Sequence, residues 1–273
     1  MRTFHSFAIA AFAAMAVGVA HAGTIDDQYT GGSGAYAGAD SIGGSAYDIT
    51  GATITRVGNV LNIVISTVFT AENFIYNNNK SSIKIGYGDL FLSNAWSPAP
   101  GGTNYSNDTL SNTGTLWKFG LGIDSARFNT GVIKDATVSL YKLSAPADTS
   151  TGINGKNINS SDTVMAGQSS DLSGLEYRHN QADTVNTTGN LSTVAVQAAN
   201  KGTLNVANGL VTFQMDIAGT DMMKWDSFAM HWGETCQNDV IEGFTRVVPE
   251  PGSMALLGLG LFGMLAAARR KRA

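Results

Sequence analysis

Thr203-Leu204-Asn205-Val206-Ala207-Asn208-Gly209-Leu210-Val211-Thr212-Phe213-Gln214-Met215-Asp216-Ile217 is the clearest local signal in the sequence. Asn208-Gly209 supplies the positive φ angles of a type I′ turn. Beyond the turn, Val211, Phe213, Met215 and Ile217 alternate with Thr212, Gln214 and Asp216. Period-2 spacing puts the apolar set on one face of a strand and the polar set on the other. The stretch predicts an antiparallel β-hairpin over residues 202–219 with one buried face.

The same grammar recurs at residues 48–70. Ile49, Thr53 and Thr55 lead into Gly58-Asn59, and then Leu61, Ile63, Ile65, Thr67 and Phe69 alternate with Asn62, Val64, Ser66 and Val68. This predicts a second hairpin whose second strand, with few polar positions on either face, lies centrally. Asn77-Asn78-Asn79 reads as a turn into a strand carrying Ile83, Ile85, Tyr87 and Phe91. Further strands are expected at residues 116–123, 136–143, 227–233 and 240–247. One helical turn is expected at residues 221–225, capped by Thr220 or Asp221. No long amphipathic helix is found. The fold class is therefore all-β, an antiparallel β-sandwich of jelly-roll type.

Between the strands, residues 23–45 read as a Gly-rich leader lying along the domain as an edge strand. Residues 97–113 form a long loop with Pro98, Pro100 and Gly101-Gly102. Residues 144–173 are polar and aperiodic. A structureless loop of that length is unusual in a compact domain. They are either a surface excursion or a cover for short edge strands, and they hold the one candidate internal boundary. A single body over residues 23–247 is the favoured organisation.

The two ends have a different character. Arg2 precedes an apolar run over residues 7–19, and Ala20-His21-Ala22 is an A-x-A cleavage site, so residues 1–22 read as a signal peptide with a signal helix. At the other end, Val248-Pro249-Glu250-Pro251 cannot be helical, because proline donates no backbone hydrogen bond and biases its predecessor to extended structure. Residues 253–268 are uncharged and suit a single transmembrane helix, in which every backbone group bonds internally. Sixteen residues reach only about 24 Å, short of a hydrocarbon core of about 30 Å, so snorkelling or local thinning must absorb the mismatch. Arg269, Arg270, Lys271 and Arg272 then form a basic stop that favours the cytoplasmic side.

That order of proline break, apolar helix and basic stop resembles the PEP-CTERM sorting signal of Gram-negative bacteria that make extracellular polysaccharide. The resemblance covers residues 248–272, about a tenth of the chain. It implies transient anchoring in the inner membrane and processing by an exosortase-type enzyme. Delivery to the cell surface or extracellular matrix follows, where exopolysaccharide is a candidate partner. The same tail also goes by the label ice-binding-protein C-terminal domain, which describes the shared tail and says nothing of ice binding. Residues 225–243 resemble a block found just upstream of such tails, which implies placement and no chemistry.

Composition narrows the partners. The chain has 273 residues and a formal net charge of −4. Without Arg2 and the four basic tail residues, 17 basic residues become 12; without Glu250, 21 acidic residues become 20, so the body stands near −8. A body this acidic argues against nucleic acid, since phosphate binding needs clustered Lys and Arg. Cys236 is the single cysteine, so no intramolecular disulfide forms, and zinc sites built on several cysteines are excluded.

Candidate chemistry is sparse. Glu234, Asp239 and Glu242 are close in sequence, yet they do not form the Glu-x-Asp-x-x-Glu pattern of laminarinase-like jelly rolls. Solvated loop carboxylates are their bland reading. His231 and Cys236 with Glu234 or Asp239 make a mixed metal-ligand set of undiagnostic spacing, against an aromatic cluster closing the sheet end. His179 beside Arg178 and Glu176 reads as surface. Trp96, Tyr105, Trp117 and Tyr87 are candidates for a sugar-stacking platform. Trp96 and Tyr105 are the best placed, and Trp117 reads as core. Thr53-Ile54-Thr55 is a single Thr-x-Thr unit. No catalytic set, cofactor or metal is expected. The body reads as a structural or adhesive surface component, with a carbohydrate-binding module or a polysaccharide-active enzyme as the alternative.

Overall fold

A computed structural model describes residues 20–27, 41, 45–70, 75–78, 81–84, 86–97, 115–123, 135–143, 149–151, 182–185, 202–234 and 239–249. Its strands are β1 (Ala20–Asp26), β2 (Ile49–Val57), β3 (Val60–Thr67), β4 (Ile75–Asn78), β5 (Ser81–Lys84), β6 (Leu90–Ser93), β7 (Phe119–Ile123) and β8 (Asp135–Lys142). They continue with β9 (Thr149–Thr151), β10 (Ala182–Val185), β11 (Gly202–Ala207), β12 (Leu210–Asp216), β13 (Ser227–Gly233), β14 (Val240–Arg246) and β15 (Val248–Pro249). Eleven of them form one antiparallel sheet in the order β14-β13-β6-β7-β8-β11-β12-β3-β2-β1-β15, while β4-β5 and β9-β10 are separate two-stranded sheets.

The two hairpins that decide the fold are formed as their turns predict. Gly58, Asn208 and Gly209 all have φ between 54° and 75°. In β3 and β12, Leu61, Ile63, Ile65, Val211, Phe213 and Met215 point to the core with at most 3% exposure. Each such side chain contributes on the order of 1.5–3 kcal/mol by leaving water. β3 is central, between β2 and β12.

The expected two-sheet sandwich is instead a single sheet, curled until its ends meet as a nearly closed barrel. At the seam, Ile25 of β1 fills the space over Gly243 of β14, where a Cβ would collide with its Cγ2. Gly23 lies equally close to Thr245 and Arg246. The Asp239 carboxylate accepts the Ile49 amide at 2.7 Å, and Arg56 donates to the carbonyls of Met222 and Trp225, joining β2 to the β13-β14 side. Closure buries the apolar inner faces of β2, β3, β7, β8, β12 and β13 in one core. Period-2 alternation fixes the buried face of each strand, and does not say whether two such faces belong to one sheet or two.

Two other expectations need correction. The strand through Ile83 to Phe91 is split: β5 ends at Lys84, Tyr87 makes a lone bridge to Glu234, and β6 begins at Leu90. The turn at Asp221–Lys224 is a 3-10 helix without a side-chain cap; the Thr220 hydroxyl donates back to the Ile217 carbonyl at 2.7 Å. Residues 144–173 do contain a short strand, the second of the two readings given to them: β9 pairs with β10. The signal helix, residues 253–268 and most of the 97–113 loop lie outside the described residues. Among the described residues no helix is long and apolar enough to cross a membrane.

The outer face of the sheet has two characters. Over β6, β7 and β13 it is covered: Phe91, Trp117, Leu143, Val185 and Ala229 make a second, smaller apolar cluster. From β1 to β11 it carries two polar rows, in which Thr203, Asn205 and Gln214 are exposed. Thr24, Thr53, Val64, Thr212 and Asn205 are successive cross-strand partners. Two residues further along lie Thr55, Asn62, Gln214 and Thr203, continued by Thr137 on β8.

Candidate functional site

The polar residues of the body's C-terminal third converge at two places. The first is on the covered outer face. Cross-strand pairing lines up Tyr141, Gly120, Phe91, His231 and Glu242 across β8, β7, β6, β13 and β14. His231 is fully buried and Glu242 is 7% exposed. His231 Nδ1 and Glu242 Oε2 are 2.9 Å apart, and Glu242 Oε1 accepts the Trp96 indole N–H at 2.8 Å. The His231 ring lies between Trp117 at 5.7 Å and Phe91 at 6.1 Å, centroid to centroid. β13 puts His231 here because Phe228, Met230 and Trp232 occupy the inner face, and alternation sends Ala229 and His231 outward.

The second place is the turn between β13 and β14. Asp239 is fully buried; its Oδ1 accepts the Val240 amide at 2.8 Å and its Oδ2 the Ile49 amide at 2.7 Å. Glu234 Oε2 accepts the Asp239 amide at 3.1 Å. Beside them the Trp232 indole donates to the Gly88 carbonyl at 3.0 Å and stacks on Tyr87. Tyr87 in turn packs edge-on against Phe69.

These contacts decide what the carboxylates can do. Acid-base hydrolysis of a glycoside needs two carboxyl groups facing one another across a substrate cleft. Glu242 is turned to the outer face and holds His231 and Trp96. Asp239 and Glu234 hold backbone amides where β13 passes into β14. None is the solvated loop carboxylate that the sequence suggests. Each satisfies buried donors that would otherwise cost about 1–3 kcal/mol apiece. Among the described residues no group of three or more His, Cys, Asp or Glu could hold a metal ion. Cys236 and His179 lie outside the described residues.

The aromatic platform is divided. Trp117 is in the small outer cluster at 7% exposure, as the sequence predicts, and Tyr87 is core at 3%. Trp96 is 38% exposed, but its indole edge is committed to Glu242. Tyr105 lies outside the described residues. Sequence reasoning missed Asp89, which is fully buried and accepts the amides of Ile123 at 2.8 Å and Val185 at 2.7 Å, so fastening β10 to β7. Its signal was a lone carboxylate in the apolar stretch Tyr87-Gly88-Asp89-Leu90.

The two terminal motifs meet in the sheet. Ala20 and Ala22 of the A-x-A motif are in β1, and Val248 and Pro249 are β15. The register pairs Ala22 with Val248 and His21 with Pro249. The Val247 amide also donates to the Asp226 carbonyl at 2.9 Å. Glu250, Pro251 and the basic residues Arg269, Arg270, Lys271 and Arg272 lie outside the described residues.

No curated protein and no solved structure matches the chain. The extended Val248-Pro249 strand begins a segment that does match a known family: residues 247–272 carry the PEP-CTERM protein-sorting motif, which implies export, a transient membrane stage and processing by an exosortase-type enzyme.

Proposed function

We propose that the body is a structural or adhesive, non-enzymatic component of the cell surface or extracellular matrix, and that the tail is its means of delivery. The observation that carries this reading is the commitment of Glu234, Asp239 and Glu242 to internal bonds, in a chain that ends in a sorting motif. A carboxylate engaged by internal donors is poorly placed to exchange a proton with a substrate. Delivery proceeds by cleavage after Ala22, retention by the apolar segment at residues 253–268, and release near Pro249-Glu250-Pro251.

The test is genetic and biochemical. A producer lacking the chain forms a matrix that disperses more readily in shear. The full chain restores cohesion, and a variant truncated after Val247 does not. Intact-mass analysis of the surface form finds neither Met1 nor Arg272. Restoration by the truncated variant would separate the body's role from the tail and defeat this reading.

A further inference from the structure

We propose that the outer face from β1 to β11 is a binding face for a neutral, extended polysaccharide chain, with Thr53 and Thr212 at its centre. The proposal rests on the structural role above, for which it names the partner and the surface.

Three observations carry it. First, its two central rows are uncharged. No Lys, Arg, Asp or Glu occurs in the row from Thr24 to Asn205 or in the row from Thr55 to Thr137. Acidic residues flank the two rows: Asp26 and Asp216 lie two residues beyond Thr24 and Gln214 on the same face, and the Asp135 carboxylate accepts the Asn205 side-chain amide. A face without cations does not select an anionic polymer. Second, its groups suit hydroxyls. Thr, Asn and Gln side chains both donate and accept, as sugar hydroxyls do, whereas a carboxylate only accepts and an ammonium only donates. The Thr methyls and Val64 add apolar contact for ring C–H groups. Third, the groups are regularly spaced. Neighbouring strands lie about 4.8 Å apart, so a row presents one side chain per strand at close to the length of a pyranose unit. The adjacent row lies about 6.8 Å away along the strands, two residues of extended chain, and so flanks the same polymer. Thr203, Asn205 and Gln214 are exposed, and Thr53, Thr55, Asn62 and Thr212 are half-buried by their neighbours.

Affinity electrophoresis of the full chain in detergent tests this, with hydroxyethyl cellulose as the neutral extended polymer and alginate as the anionic one. The expected result is retardation by hydroxyethyl cellulose and none by alginate. Thr53→Ala with Thr212→Ala weakens the retardation at least tenfold. Should that variant fail to fold, Thr203→Ala with Gln214→Ala, at exposed positions, gives the same loss. Trp96→Ala leaves retardation unchanged. No retardation of the wild type by hydroxyethyl cellulose would overturn the proposal. So would retardation that survives the threonine changes or disappears with Trp96→Ala. Release of reducing ends together with retention lost in the threonine variant would support the face and defeat the non-enzymatic reading, so the two can fail separately.

Discussion

Ala22 and Val248 stand opposite one another as cross-strand partners, so the A-x-A motif of residues 20–22 and the start of the sorting motif occupy adjacent strands of one sheet. Cleavage after Ala22 removes both partners of β15, His21 and Ala22, and leaves Gly23 against Thr245 and Arg246. Signal removal therefore frees the strand that leads to Pro249-Glu250-Pro251.

The consequence is measurable by hydrogen exchange. The Val248 amide exchanges up to about tenfold faster in a chain beginning at Gly23 than in one that retains Ala22, the equivalent of about one lost hydrogen bond. Equal protection in the two forms would mean that β1 does not restrain the motif. The Val247 bond to Asp226 is independent of β1 and limits the change at that residue.

Trp232 anchors the inner core. It is fully buried, stacks on Tyr87 and donates to the Gly88 carbonyl. Trp232→Ala costs about 3–5 kcal/mol in denaturant unfolding, through lost transfer energy and the cavity left behind. Trp96→Ala costs less, because Trp96 is partly exposed and packs on the outer face.

Asp89 and Asp239 are braces between segments far apart in sequence. Asp89→Asn leaves one carbonyl oxygen for two amide donors and turns a donor toward the second. It destabilises by about 1–3 kcal/mol. Asp239→Asn behaves alike, and its loss loosens the seam at Ile49. Unfolding midpoints unchanged in both variants would contradict the bracing role.

The body's strands were legible because their signals are local. Asn208-Gly209 and Gly58-Asn59 fix the turns, and alternation fixes the faces. The closure into one sheet was not legible, because it depends on pairings such as β6 with β13 and β12 with β3, which join segments distant in sequence. The roles of Glu234, Asp239 and Glu242 were hidden for the same reason. Asp239 finds Ile49 across 190 residues and Glu242 finds Trp96 across 146. The sorting tail was readable because proline break, apolar run and basic stop are contiguous. The outer polar rows emerge only when the strand order is known; in the sequence Thr53-Ile54-Thr55 stands alone.

Glu242 joins His231 and Trp96 through its two oxygens. Glu242→Gln can accept only one of those donors, and it lowers stability by about 1–3 kcal/mol. A double-mutant cycle of Glu242→Ala with Trp96→Phe shows coupling between the two changes, since each removes the Trp96–Glu242 bond.

The most direct measurement is incubation of the processed surface form with the producer's own exopolysaccharide, followed by assay of reducing ends. No new reducing ends are expected, and Glu234→Gln and Glu242→Gln alter stability alone. New reducing ends that vanish in either variant would contradict the non-enzymatic reading, and would make a structural carboxylate a catalytic one.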